Sequence, residues 1–478
     1  MKKAVLYFFV WLTGASFFHA EAQGIKKFFC DFRKDTALSG AVSAFHIIEL
    51  SNGKTVTGYQ SDRLMIPAST LKTLYVFSAL DDYGSSFRFR TDLFYTGNLQ
   101  NDTLHGDLII RSEGDPTWAS PYFRENLDSI MNDMLNGVRS RDIHYVTGRI
   151  LVSVNGFYYP APGSWPIEDI GNYYGSGYWG FNYHDNMYKI FLKTGSAVGS
   201  KVTIHHIEPE VPGLELISLL KSGPPGSGDQ AYIYGVPFTY ERYILGSVPA
   251  GSSLFEIKGS IPNPPLTFGR YFTAFLNKNG IGVGKAPGLV QRLVPVDRAH
   301  LLWYHISPSL AEIGKKTLNY SINHYSEALA RLTVERGRPA EGYINRDSIN
   351  AYFRSKGFRR IDLEDGCGLA PDNLIAPEEY TAFFHRIYRK HGLDYLLDIL
   401  PKAGKDGYAR FFLRNSPEQE QVWVKSGSVS KVRNYVGVFR GKSGKYYAFA
   451  IMVNHFRSSH KAVKKAIERV LEESIRHL

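Results

Sequence analysis

The stretch Pro67-Ala68-Ser69-Thr70-Leu71-Lys72 opens an apolar segment that continues over residues 71–80. This pattern predicts a helix that begins near Ser69, and positions i and i+3 of a helix share one face. The Ser69 hydroxyl and the Lys72 amine are therefore expected within hydrogen-bond reach. Such a serine is a candidate nucleophile, because the amine can take its proton and the helix N-terminus favours an oxyanion. An isolated Ser-x-x-Lys is also explained by a helix cap and a solvated lysine, so further motifs must decide.

A serine and an amide are expected as the second pair of side chains beside such a nucleophile. Ser321-Ile322-Asn323 lies between two predicted helices, where a short loop can present both side chains to a cleft. Ser153-Val154-Asn155 and Ser348-Ile349-Asn350 have the same letters. The first lies at a predicted strand end and the second at a predicted helix start, so a structural role explains each of them.

A lysine followed by a hydroxyl residue, on a strand that borders the site, is the third expected motif. Four segments fit: Lys193-Thr194-Gly195, Lys221-Ser222-Gly223, Lys425-Ser426-Gly427 and Lys442-Ser443-Gly444. Only Lys425 both follows an apolar strand and belongs to the C-terminal run of predicted strands. The third motif is therefore assigned to Lys425.

On helix, interhelical loop and strand, in that order, the three motifs resemble the penicillin-binding protein and serine β-lactamase superfamily. Gly114-Asp115-Pro116-Thr117, residues 321–329 and Asp365-Gly366-Cys367-Gly368-Leu369 are similar to one of its families. That family is the D-alanyl-D-alanine carboxypeptidase/endopeptidases, peptidase family S13, which are low-molecular-mass class C penicillin-binding proteins. The resemblance runs from about residue 25 to the C-terminus.

The chain departs from the family pattern in two motifs. Cys367 replaces a serine, and Ala370-Pro371 stand where the family usually has Ser-Arg. Pro371 stands where the family has the arginine, so this chain has no arginine at that position to bind a substrate carboxylate. Ser426 replaces the commoner threonine of the strand motif and keeps the hydroxyl.

The resemblance implies an α/β (α+β) fold, in which helices of a transpeptidase-like domain pack on an antiparallel sheet and mostly β domains are inserted. A length of 478 residues independently predicts two or three domains, and residues 157–264 are rich in Gly, Pro and Tyr, as insertions often are. The predicted boundaries are 23–90 plus 295–478 for the split catalytic domain, 91–185 plus 250–294 for domain II, and 186–249 for domain III.

The resemblance also implies an exported serine peptidase that acts on D-Ala-D-Ala stem peptides of peptidoglycan, and possible action on cross-links, through an acyl-enzyme. Its catalytic residues here would be Ser69, Lys72, Ser321, Asn323 and Lys425, and its substrate-binding residues would be Ser426, Gly427 and Ser428. β-Lactams would be covalent inhibitors, and no cofactor is expected. Three alternatives stay open: a β-lactamase, an esterase of the same superfamily, and a non-catalytic cell-wall-binding protein. The balance between carboxypeptidase and endopeptidase also stays open.

The first residues predict export. Met1-Lys2-Lys3 is cationic, residues 4–18 are apolar, and Ala20-Glu21-Ala22 is a small-x-small cleavage signal. This is the pattern of a secretory signal peptide, removed near Ala22, which indicates a periplasmic or otherwise exported protein. No later apolar run is long enough to span a bilayer, so a transmembrane segment is not expected and peripheral membrane contact stays open. Export also argues against nucleic acid as the partner of the +11 net charge.

Two other features have alternative explanations. Cys30 and Cys367 are too few for a disulfide scaffold, and whether they form one bridge is left open. His205, His206 and Glu208 are metal-ligand residue types, but they lack His-Glu-x-x-His spacing and paired cysteines. They are therefore predicted to be surface residues of a strand, and no metal site is expected.

Overall fold

The structure is a computed structural model that describes residues 28–157, 161–335, 340–341 and 344–478. The predicted signal peptide lies outside the described residues. The chain divides into two compact units. The first contains the described residues up to Ser78 together with Gly314–Ser321 and Ile349–Leu478, and the second contains Ala79–Ile313 and Ile322–Ser348. The finer division into a split catalytic domain and two inserted domains stays a prediction.

A five-stranded antiparallel sheet forms the centre of the first unit and joins strands from both ends of the chain. Its strands, in spatial order, are Thr55–Tyr59, Val42–Glu49, Tyr446–Asn454, Val432–Arg440 and Val422–Val429. The middle strand Tyr446–Asn454 is buried along almost its whole length. Its sequence is correspondingly apolar at successive positions, which is the pattern of a strand covered on both faces.

Helices cover both faces of this sheet. The C-terminal helix His460–His477 has a buried stripe that includes Val463, Ile467 and Leu471, and these residues pack in one core with Phe449. The opposite face contacts the helix Pro377–His391. There the imidazole of His46 is hydrogen-bonded to the Thr381 hydroxyl at 2.6 Å. The prediction of helices packed on an antiparallel sheet is confirmed.

Short strands make up most of the regular structure of the second unit, and they form several sheets. The strands are Arg90–Tyr95, Asn98–Gln100, Thr103–His105, Leu108–Ser112, Tyr145–Val146, Ile150–Ser153, Gly156–Phe157, Met187–Lys193, Thr203–Glu208, Glu215–Ser218, Lys221–Gly223, Gln230–Tyr234, Glu241–Pro249, Phe255–Ser260, Gly282–Val283, Gly288–Val290, Leu301–Ile306 and Ala340–Glu341. The loop-rich sequence predicted as an insertion therefore contains many short strands between its turns.

The remaining regular elements are helices and one small ribbon. The other α-helices are Lys72–Tyr83, Leu127–Arg139, Ile167–Ile170, Pro264–Lys278, Leu310–Tyr320, Asn323–Val334, Arg346–Ser355 and Leu393–Ile399, and residues 28–34 are also helical. The 3-10 helices are Thr36–Leu38, Ala68–Leu71, Pro121–Phe123, Tyr173–Gly175, His184–Asn186, Arg298–His300, Gly407–Phe411 and Gln419–Gln421. The ribbon pairs Ile361–Asp362 with Leu374–Ile375. None of the helices within the described ranges is both long and apolar enough to cross a membrane. Cys30 is exposed and Cys367 is buried, and the structure holds both as thiols rather than as a disulfide.

Candidate active site

Ser69 lies in a tight turn at the start of a buried helix. The turn is the 3-10 segment Ala68–Leu71, and the α-helix Lys72–Tyr83 follows it directly. Ala68 has a φ of +48°, a left-handed backbone conformation that a residue with a side chain seldom adopts. The hydroxyl of Thr70 donates to the Pro67 carbonyl at 2.8 Å and contacts the Tyr380 hydroxyl at 2.9 Å. The turn that presents Ser69 is therefore held by the structure around it.

Lys72 is hydrogen-bonded to Ser69. Its Nζ atom donates to Ser69 Oγ at 2.8 Å and to the main-chain carbonyl of Cys367 at 2.6 Å. The Lys72 side chain is fully buried, with an exposed fraction of 0%. Two fixed acceptors hold the amine beside the hydroxyl, and this is the geometry that a proton transfer between them requires.

Lys425 and Ser321 form a second lysine–serine pair in the first unit. Lys425 Nζ donates to Ser321 Oγ at 3.0 Å and to its neighbouring carbonyl, that of Ser426, at 2.6 Å. Burial, followed by the positive charges of Lys72 and Arg433, holds the pKa of Lys425 well below the usual range of a lysine. Ser321 has a φ of +56° and follows the helix Leu310–Tyr320. The Ser321 motif and the Lys425 motif thus meet. Lys425 also lies close enough to Lys72 for the charge of Lys72 to lower its pKa.

Glycines let two segments lie directly on the Ser69 turn. A Cβ atom added to Gly427 would lie 2.5 Å from the Pro67 carbonyl oxygen. A Cβ added to Gly368, whose φ is +84°, would lie 2.0 Å from the Ala68 carbonyl oxygen. No side chain fits in either space. The absence of a side chain at Gly427 therefore allows its strand to approach the Ser69 turn.

The loop that contains Cys367 is organised by a buried carboxylate. Asp365 accepts hydrogen bonds from the main-chain N–H groups of Gly368 and Ala370, both at 2.7 Å, and from the Asn373 side chain at 2.9 Å. These bonds fix the main chain of the loop, and with it the Cys367 carbonyl that Lys72 contacts. Ala370, which stands where the family usually has serine, contributes its main-chain N–H to this network.

Ser426 and Ser428 lie on either side of Gly427 in the strand Val422–Val429. Ser428 is exposed, and its Oγ lies 3.3 Å from His460 Nδ1. In the register of the sheet Ser428 faces Arg433, whose Nε donates to the Tyr435 hydroxyl at 2.9 Å. Arg433 is not among the site residues predicted from the sequence. The turn between paired Val429 and Val432 carried a usable signal, because counting outward from it pairs Ser428 with Arg433.

Asn323 belongs to the second unit, where it begins the helix Asn323–Val334. Its Nδ2 atom donates to the main-chain carbonyl of Tyr174 at 2.6 Å. Two residues later, the hydroxyl of Tyr325 donates to the Asp185 carboxylate at 3.0 Å and lies 2.7 Å from Ser120 Oγ. The start of this helix is therefore held by main-chain and side-chain groups of its own unit.

The Gly-Asp-Pro-Thr motif lies in a buried cluster of ionisable groups in the second unit. Asp115 accepts from the Thr117 N–H at 2.8 Å, and burial raises its pKa to about 6. His305 Nε2 lies 3.7 Å from Asp115 and 3.4 Å from Glu125. Burial, and next the charge of Asp115, raise the pKa of Glu125 to about 7, and burial lowers the pKa of His305 to about 4. The cluster therefore favours the uncharged form of each of these three groups.

This chain resembles known D-Ala-D-Ala carboxypeptidases in sequence. The sequence model of the D-Ala-D-Ala carboxypeptidase 3 (S13) family matches residues 30–474. D-alanyl-D-alanine carboxypeptidase DacB of Haemophilus influenzae is 23% identical over 425 residues, which cover 87% of this chain and 86% of that protein. D-alanyl-D-alanine carboxypeptidase of Actinomadura sp. is 23% identical over 472 residues, which cover 93% of this chain and 84% of that protein.

A solved structure shares the fold. The crystal structure of penicillin binding protein 4 (dacB) from Haemophilus influenzae aligns with a TM-score of 0.78 at 20% identity, over 93% of this chain and 98% of that chain. The alignment confirms the predicted fold class, and the family match confirms the resemblance read from the motifs. With a match that extends from residue 30 to residue 474, the chain belongs to the D-Ala-D-Ala carboxypeptidase 3 (S13) family.

Proposed function

We propose that the protein is an exported serine DD-peptidase that cleaves D-Ala-D-Ala stem peptides of peptidoglycan through an acyl-enzyme on Ser69. The observation that carries the proposal is the 2.8 Å hydrogen bond between Lys72 Nζ and Ser69 Oγ, at the start of a buried helix. Family membership supports it, and so do the carboxypeptidase names of the relatives.

In acylation, Ser69 Oγ attacks the carbonyl carbon between the two D-alanines, and its proton passes to the amine of Lys72, which this step requires in its uncharged form. The C–N bond breaks, and the departing D-alanine amine takes a proton delivered through Ser321 and Lys425. The 3.0 Å contact between these two side chains and the lowered pKa of Lys425 support this path, because an amine of low pKa both gives and takes protons readily. Water then attacks the ester, which restores Ser69 and releases the shortened peptide acid.

Other groups would bind the reacting peptide. The main-chain N–H groups of Ser69 and Ser428 would stabilise the oxyanion of the tetrahedral intermediate. Hydroxyls of Ser426 and Ser428, beside the charge of Arg433, would bind the terminal carboxylate. The register that places Ser428 opposite Arg433 supports this assignment. The role predicted for Asn323, a hydrogen bond to the substrate's peptide amide, stays a prediction.

The first test is the nucleophile. Ser69→Ala should abolish the covalent adduct with a labelled penicillin, whereas Ser86→Ala, a variant at an exposed serine, should form it as the parent protein does. A stable adduct on the Ser69→Ala protein would sink the assignment. The complex of the Haemophilus influenzae structure with a β-lactam makes penicillin a suitable probe.

The second test is the substrate. The chain without residues 1–22 is incubated with purified peptidoglycan, and the products are weighed. Loss of one D-Ala indicates carboxypeptidase activity, and separation of cross-linked muropeptides indicates endopeptidase activity. Rapid turnover of nitrocefin or p-nitrophenyl esters without release of D-Ala would instead identify a β-lactamase or an esterase. Intact muropeptides together with no penicillin adduct would identify a non-catalytic cell-wall-binding protein.

A further inference from the structure

Two adjacent histidines of the second unit point the same way because their strand contains a β-bulge. Side chains of a regular strand alternate between faces, so His205 and His206 would normally point apart. In the strand pair, Phe191 faces His206 but Leu192 faces Ile204, which makes His205 an extra residue of the strand Thr203–Glu208. The Nδ1 atoms of the two histidines consequently lie 2.5 Å apart. The sequence predicts ordinary surface residues of a strand here and carries no signal of the bulge.

Two contacts fix the ring of His206. The ring stacks on Phe191, with centroids 4.4 Å apart and an interplanar angle of 9°. Its Nε2 atom lies 3.1 Å from the carboxylate of Glu208. Because a carboxylate only accepts, Nε2 carries the proton and the lone pair of Nδ1 faces His205.

This is the arrangement of a metal-binding histidine, which commonly donates one ring N–H to a carboxylate and uses the other nitrogen as the ligand. We propose that His205 and His206 bind one divalent transition-metal ion through their Nδ1 atoms, with Glu208 orienting His206. The ion takes the place of the single hydrogen that the two nitrogens share. The displaced Nδ1 hydrogen of His205 exchanges through solvent to its Nε2, so the imidazole stays neutral.

The distances need only a small adjustment. Metal–imidazole bonds of about 2.1 Å place two ligand nitrogens roughly 3 Å apart, slightly further than the 2.5 Å between the two Nδ1 atoms here. Both histidines have solvent access, so water completes the coordination. Imidazole pairs favour Cu²⁺ over Ni²⁺ and Zn²⁺.

The test uses the chain purified without a polyhistidine tag, titrated with Cu²⁺ and followed by calorimetry and electron paramagnetic resonance. We expect one saturable Cu²⁺ site with two coordinating nitrogens, and weaker binding of Zn²⁺. His205→Ala and His206→Ala should each raise the Kd for Cu²⁺ at least about tenfold, and Glu208→Ala by about tenfold. His144→Ala is the matched control, because this histidine of the same unit is also exposed, and it should leave the Kd unchanged.

The proposal fails if the parent protein binds no Cu²⁺ saturably, or if the double variant His205→Ala/His206→Ala keeps the parent affinity. An unchanged Kd in Glu208→Ala would overturn the orienting role of that carboxylate. Thermal midpoints of all variants show whether each protein is folded. The readout is metal binding, so the result does not depend on the peptidase assignment.

Discussion

At the scale of single residues, Lys425 is a buried lysine, only 2% exposed, that lies near the side chains of Lys72 and Arg433. Lys425→Arg keeps a positive charge but installs a guanidinium that cannot lose its proton. If Lys425 passes a proton, the rate of acylation by labelled penicillin should fall on the order of 10²-fold or more. Stopped-flow measurement of the adduct gives that rate, and the thermal midpoint shows whether the variant is folded.

Lys465→Arg is the control for this substitution, because Lys465 is exposed on the C-terminal helix. It should acylate at the parent rate. If a folded Lys425→Arg protein also acylates within a few-fold of the parent, the amine of Lys425 does not pass the proton.

Gly427 tests the close approach of its strand to the nucleophile turn. In Gly427→Ala the new Cβ would lie 2.5 Å from the Pro67 carbonyl oxygen and 2.9 Å from the Thr70 nitrogen, so strand or turn must move. We expect a loss of about 1–3 kcal/mol in the free energy of unfolding. Acylation of Ser69 should also slow by roughly tenfold to a hundredfold, because a small displacement of reacting groups is costly.

Denaturant unfolding and penicillin acylation measure the two effects of Gly427→Ala. Gly163→Ala is the matched control, since a Cβ there meets no atom within 4 Å and its φ is not left-handed. Parent-like stability and acylation in Gly427→Ala would mean that the turn tolerates the methyl group and that the glycine is not required.

At the scale of elements, the loop of Asp365 illustrates how a short segment serves the site. Asp365→Asn replaces one acceptor oxygen with an NH₂ group, which cannot accept the N–H of Gly368 or of Ala370. We expect a loss of about 1–3 kcal/mol in the free energy of unfolding, because a buried N–H is left unsatisfied. Acylation should slow on the order of tenfold as the Cys367 carbonyl shifts away from Lys72.

Asp372→Asn, a substitution at an exposed position of the same loop, is the control and should leave both quantities unchanged. An acylation rate that stays at the parent value in a destabilised Asp365→Asn protein would separate the loop from the chemistry. The loop would then contribute to stability alone.

Elements with a strong periodic pattern were predictable from the sequence. The helix predicted near Ser69, the two helices on either side of residues 321–323 and the C-terminal strand run all occur in the structure. Helix ends were less certain, because a segment such as Ala68–Leu71 is a 3-10 turn set by contacts from distant parts of the chain. The bulge at His205 was beyond reach, since it depends on how Phe191 and Leu192 pair.

The candidate site was predictable only where its contacts are local in sequence. The spacing of Ser69 and Lys72 defines their contact through helix geometry. The Cys367 carbonyl, which also accepts a hydrogen bond from Lys72, is 295 positions away along the chain, and no local sequence pattern predicts this contact. The meeting of Lys425 with Ser321, 104 positions apart, was inferred from resemblance rather than from local geometry.

At the scale of the whole molecule, the buried cluster of the second unit links stability to pH. Glu125 has a pKa raised to about 7 in the folded state, so the native protein keeps a proton there that the unfolded chain has already released. Between about pH 4.5 and 7 the native state therefore binds more protons at this site, and its contribution to the free energy of unfolding falls as pH rises. His305 acts in the opposite direction, because its pKa of about 4 leaves the unfolded chain binding more protons between about pH 4 and 6.5.

Glu125→Gln isolates the carboxyl contribution, since the amide oxygen can still accept the Ala119 N–H that Glu125 now accepts at 2.7 Å. Relative to the parent, the variant should gain stability steadily as pH rises from about 4.5 to 7, by on the order of 1–2 kcal/mol at the upper end. Its side chain is 20% exposed, which makes the gain smaller than complete burial would give. Thermal denaturation at several pH values measures the difference, and Glu215→Gln, on an exposed strand position of the same unit, should show none of it. The stability difference between Glu125→Gln and the parent could instead stay constant across this window. Glu125 would then titrate alike in the folded and unfolded chains, and its carboxyl group would not couple pH to stability.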